Sequence, residues 1–144
     1  MAETFDKRAR QRYIDRALEL HHSGYNCAQS VACALGDLTD LDEDALFRVA
    51  EGFGGGMGGF TETCGALSGA VAILGLRTSG GTANPKTKAR TYARTRTVVA
   101  AFREKNGATR CPELKGMTGG PVLRSCDGCI EDACNLLLDA VEAE

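Results

Sequence analysis

EGFGGGMGGFTETCGALSGAVAILG, residues Glu51–Gly75, is the stretch whose reading decides the fold. Eight glycines fall between Gly52 and Gly69, and glycine, lacking a Cβ, lets the main chain turn sharply and approach another group closely. Gly54, Gly55, Gly56 and Gly58 are therefore the candidate cradle for a bound group. A helix is predicted to begin near Thr61 or Glu62, which places Cys64 in its first turn, where free N–H groups and the helix dipole favour an anion. A thiol there ionises easily. Beyond it Ala66, Leu67, Ala70, Val71, Ala72, Ile73 and Leu74 are apolar on nearly every side, the pattern of a helix packed among other helices.

Upstream, Phe5, Ala9, Tyr13, Ile14, Ala17 and Leu18 recur at helical spacing and predict an amphipathic helix that stops near Ser23-Gly24. Asn26 caps a second helix through Ala28, Val31, Ala32 and Leu35, with Cys27 in its first turn. Asp42 caps a third, with Leu46, Phe47, Val49 and Ala50 facing inward. Downstream, Asn84-Pro85 reads as the start of a long fifth helix. Its buried stripe is Tyr92, Val98, Val99 and Phe102, and its other surface is cationic, with Lys86, Lys88, Arg90, Arg94, Arg96, Arg103 and Lys105. A short turn at Cys111–Leu114 and a loop precede a last helix that starts between Ser125 and Gly128. No alternating strand pattern of useful length occurs, so the expectation over residues 1–144 is a single-domain, all-α bundle of five to six helices around the central one.

The chain has 144 residues, a net charge of −2 and seven cysteines. That charge balance gives no sign of nucleic-acid binding. No apolar run reaches membrane-spanning length, the N-terminal residues lack a signal-peptide pattern, and a cytoplasmic location is expected. In a reducing cytosol seven cysteines point to metal binding or redox chemistry in preference to structural disulfides.

Cys27, Cys64, Cys111 and Cys126 each fall at or just before a predicted helix start. Several helix N-termini aimed at one place make a positive pocket that lowers thiol pKa values or offsets the charge of a metal–thiolate site. Cys64, with Gly65 after it and the glycine-rich loop preceding it adding uncovered amides, should gain most. Cys129, one turn after Cys126, can reach the same centre. Cys33 and Cys134 lie mid-helix and read as small buried hydrophobes. Cys126-Asp127-Gly128-Cys129 has the CxxC form but no preceding strand, and Gly54–Gly59 fits GxGxxG but follows a helix, so neither a thioredoxin nor a Rossmann mechanism is expected. His21-His22 reads as a solvated helix end, and the cationic face of the fifth helix as solvated surface or a dock for an acidic redox partner.

YNCAQSV, GFGGGMGGFTETCGALSGA, KNGATRCPEL and CDGCIEDA together resemble the C_GCAxxG_C_C family, small proteins named for their cysteine pattern and described as redox-active. The likeness runs over nearly the whole chain, with Cys27, Cys64, Cys111 and Cys126 as the matching cysteines and Cys129 as an extra candidate at the last position. It implies an α-helical fold and a redox or iron–sulfur role, since a similar domain accompanies split-Soret cytochromes. The expectation is a redox or electron-transfer protein whose catalytic or metal-binding cysteines hold an iron–sulfur cluster or cycle between dithiol and disulfide. The alternative is a non-catalytic protein with structural zinc on four thiolates. The irregular cysteine spacing is unlike the paired knuckles of common zinc modules. A homodimer is compatible with either.

Overall fold

The computed structural model describes residues 3–144 and contains seven α-helices in that span, with no strand. They are α1 (Lys7–His22), α2 (Cys27–Ala34), α3 (Glu43–Ala50), α4 (Gly65–Thr78), α5 (Lys88–Asn106), α6 (Cys111–Leu114) and α7 (Cys126–Glu142). Short 3-10 turns follow α2 and α3, and a wide turn at Gly56–Phe60 leads towards α4. The all-α expectation holds. None of the described helices is long and apolar enough to cross a membrane.

Local chemistry sets the helix starts. Asp6, Asn26, Asp42 and Ser125 each accept a backbone N–H of the first turn, contacts worth about 1 kcal/mol apiece. At Asn26 the cap is reciprocal, because Gln29 Oε1 takes the Asn26 N–H at 3.0 Å while Asn26 Oδ1 takes that of Gln29 at 2.9 Å.

α4 is the central helix. It packs on α2, α7 and α5, and its Leu67, Ile73 and Leu74 are fully buried with Leu35, Phe102, Leu137 and Leu138. Two glycines set how closely it meets α2. A Cβ on Gly69 would sit 2.6 Å from the Ala28 carbonyl oxygen, and one on Gly65 would sit 3.4 Å from the Ala28 nitrogen. Backbone therefore lies on backbone, and Cys64, next to Gly65, comes beside Cys27, next to Ala28.

Three expectations need correction. α4 begins at Gly65, so Cys64 is its N-cap and not a first-turn residue; the Cys64 N–H is already donated to Thr109 O at 2.8 Å, and Thr63 pairs with Arg110 in an isolated bridge. α5 begins at Lys88, three residues after Pro85, because the Asn84 N–H closes a turn onto Gly81 O and Gly80 bridges Asn84. Val49 and Tyr92 are exposed, at 58% and 57%, and not core. His21 and His22 do form the solvated end of α1, and there His21 Nδ1 meets Tyr25 O at 3.0 Å and His22 Nε2 meets Asp127 at 2.9 Å, linking the end of α1 to the start of α7.

Candidate functional site

Five cysteines, four from α2, α6 and α7 and Cys64 at the N-cap of α4, line one small cavity: Cys27, Cys64, Cys111, Cys126 and Cys129, together with Gly55, Gly56, Gly65, Leu114, Lys115 and Arg124. Of the glycines predicted to cradle it, Gly55 and Gly56 reach the cavity; Gly54 packs on the Asn26 side chain and Gly58 faces open space. Cys33 and Cys134 lie elsewhere in the core, where burial pushes their thiols up to about 11 and about 12.

The loop before α4 is held by the backbone. Gly55, Gly56, Met57, Gly58 and Phe60 all have positive φ. Gly56 is the tightest position: a Cβ there would meet Cys111 Cβ at 2.6 Å and Glu62 O at 3.0 Å. The Cys111 N–H is donated to Glu62 O at 2.8 Å, so the start of α6 is fastened to the lead-in of α4.

Within the cavity the sulfurs are joined two by two. Cys27 and Cys126 perturb one another's titration most strongly, and so do Cys64 and Cys129. Within each pair one thiol is made more acidic and its partner less. Cys126 is the anion of the first pair, its pKa brought down to about 5 by the Cys27 hydrogen bond, against burial, and by Lys115, whose Nζ donates to its Sγ at 2.6 Å. Cys64 is the anion of the second, brought to about 7 by the Cys129 hydrogen bond, against burial, and by the N–H groups of Leu67 and Ala66 at the α4 start. The partners Cys27 and Cys129 are held protonated, each chiefly by the hydrogen bond it donates. Burial raises the Cys111 thiol, which has no thiol partner in either pair.

Cys64 does gain from its helix start, but Cys126 is the more acidic thiol. Beyond the Cys27 hydrogen bond, Cys126 is less deeply buried than Cys64 and has Lys115 beside it, a residue the sequence gives no reason to choose. Its ammonium also lies 5.9 Å over the Phe60 ring, and although burial opposes its charge, the Cys126 contact raises its pKa.

The pairs differ in access. Cys27 and Cys126 are half-buried, whereas Cys64, Cys111 and Cys129 are 6%, 2% and 3% exposed. The free space among the sulfurs is about 10 Å³, room for about one water molecule and far below what an organic cofactor occupies. Thiolate is the donor that iron–sulfur clusters and zinc favour. In this arrangement, however, no group of three or more His, Cys, Asp or Glu side chains among the described residues is spaced to hold a metal ion.

Fold and site together define a small helical protein with a buried thiol centre. The chain belongs to the family described as Putative redox-active protein (C_GCAxxG_C_C), whose model matches residues 25–140. No curated protein and no solved structure matches it.

Proposed function

We propose that the protein is a thiol–disulfide exchange protein in which Cys126 is the attacking sulfur and Cys27 the resolving one. The observation that carries this reading is the half-buried pair itself, a Cys126 thiolate hydrogen-bonded by Cys27 and by Lys115 at 2.6 Å. Cys126 attacks one sulfur of a partner disulfide, forming a mixed disulfide and expelling the other partner sulfur as a thiolate. Cys126 thereby loses its charge, and with it goes the main reason Cys27 keeps its proton. That proton passes to a departing partner sulfur, and Cys27 attacks Cys126 Sγ to close the Cys27–Cys126 disulfide. The partner gains two electrons and leaves as one thiol and one thiolate, and run backwards the same steps oxidise a dithiol.

A second reading, an iron–sulfur centre, is favoured by the donor set alone: five cysteines on one cavity with Lys115 and Arg124 beside them to offset thiolate charge. One preparation separates the two. Protein purified without oxygen is analysed for iron, sulfide and zinc, then treated with glutathione disulfide, alkylated and mapped by peptide mass. The exchange reading expects Cys27–Cys126 as the first disulfide formed in the wild type and no such bridge in Cys126→Ser. Stoichiometric iron and sulfide with all five thiols unreactive would replace it with the cluster, and stoichiometric zinc with a structural site.

A further inference from the structure

We infer that the cavity holds a second exchange site, the Cys64–Cys129 pair, which takes over the disulfide formed at Cys27–Cys126. The inference rests on the exchange reading above and adds an internal acceptor to it.

Two links bring the pairs into reach. Gly65 and Gly69 let α4 lie against the Ala28 backbone, which sets Cys64 beside Cys27. Cys126 and Cys129 are one turn apart on α7. All four sulfurs border the same cavity of about 10 Å³, so no organic carrier fits between them. Access then assigns the order. Cys64 and Cys129 are almost wholly covered, and a protein disulfide reaches them only after Cys27 and Cys126, which are half-buried.

The transfer balances without an added reagent. Cys64, at the N-cap of α4 and on the same cavity as the outer disulfide, enters the step as its thiolate. It attacks Cys27 Sγ of the outer disulfide, and Cys126 leaves as a thiolate onto the Lys115 ammonium 2.6 Å away. Cys129 then attacks Cys64 Sγ and expels Cys27, which takes up the proton Cys129 gave up. At the start there are an outer disulfide and an inner thiolate–thiol pair, and at the end the reverse. Two electrons have moved outward and no proton has left the protein. A fully reduced molecule therefore has four electrons to give in two steps.

The test is time-resolved mapping of reduced wild type treated with one equivalent of glutathione disulfide, quenched in acid and alkylated. Cys27–Cys126 should appear first and then decline as Cys64–Cys129 rises, with the total thiol count constant. A second equivalent should remove two further thiols. In Cys126→Ser, checked for unchanged helicity, the inner pair should oxidise at least about tenfold more slowly. In Cys129→Ser, the outer disulfide should form and remain, alone or in exchange with a Cys27–Cys64 bridge. An outer disulfide that accumulates in the wild type while Cys64 and Cys129 stay reduced, or a bridge to Cys111 in place of the inner pair, overturns the relay and leaves the exchange reading standing. Equal oxidation of the inner pair in wild type and Cys126→Ser overturns the relay too. Failure of Cys27–Cys126 to form at all removes the exchange reading and the relay with it.

Discussion

At Cys126 two neighbours compete with burial. Cys27 donates a hydrogen bond and Lys115 supplies a cation, and together they hold the sulfur as a thiolate down to about pH 5. Alkylation needs the thiolate, so the Cys126 rate should rise as pH climbs through about 5 and level off above it, while the Cys64 rate rises through about 7. Cys33 and Cys134, held near 11 and 12, stay unreactive at pH 6. Lys115→Met removes the cation and keeps the bulk of the stem. The Cys126 midpoint should then move upward, towards the ordinary thiol value, and its rate at pH 6 should fall with the Cys64 profile little changed. Iodoacetamide labelling with peptide mass read-out measures all four sulfurs in one sample. An unmoved Cys126 midpoint would mean that the Lys115 contact does not set its charge.

Among the elements, the close meeting of α2 and α4 positions the inner and outer pairs. Gly69→Ala places a methyl 2.6 Å from a carbonyl oxygen; the backbones must part, at a cost of about 1–3 kcal/mol. Gly75→Ala, on the same helix with nothing within 4 Å of the new methyl, should stabilise by about 0.5–1 kcal/mol because alanine is the better helix former. Urea unfolding of the reduced variants checks the pair of signs. If both substitutions behave alike, glycine at position 69 matters only through chain entropy. Much at this scale was legible in advance. Asn26 and Asp42 announce their helices because their side chains cap locally, and Cys27 follows from Asn26. What was not legible depends on distant partners. Cys64 is an N-cap because Thr109 and Arg110 hold the residues before Gly65 out of the helix. Lys115 reaches Cys126 because Leu114 O collects the N–H groups of both Leu123 and Arg124, folding the intervening loop back beside the cavity. The five cysteines could be grouped from their helix starts and the CxxC spacing, but their sorting into pairs arises from how α2 and the start of α4 each meet α7.

For the whole molecule, charged side chains do much of the fastening. Arg10 reaches Asn135, Asp139 and Glu142 of α7; Arg94 donates to Ala140 O at 2.7 Å and also bonds Thr78; Arg77 joins Leu38 O to Glu144. The most buried of these junctions is Asp132, one turn after Cys129 and 1% exposed. It accepts from Lys105 at 2.6 Å, Asn106 at 3.1 Å and Arg124 at 3.0 Å, joining α5, α7 and the chain leading into α7 at the cysteine cavity. Burial works against its charge, but Arg124, Lys105 and Asn106 outweigh that and hold the carboxyl below its ordinary 3.8. A depressed carboxylate contributes stability that is complete above the unfolded value and is lost as pH falls through the folded one. Asp132→Asn keeps the shape, removes the charge and sets an amide against three donors. It should cost about 3 kcal/mol, the same at pH 5 as at pH 8, and progressively less below about pH 3.8. Denaturant midpoints across that range measure it. A cost below about 0.5 kcal/mol at neutral pH, the size expected of a surface change, would mean that apolar packing of α5 on α7, through Phe102, Leu137 and Leu138, holds this end of the bundle without the ionic junction.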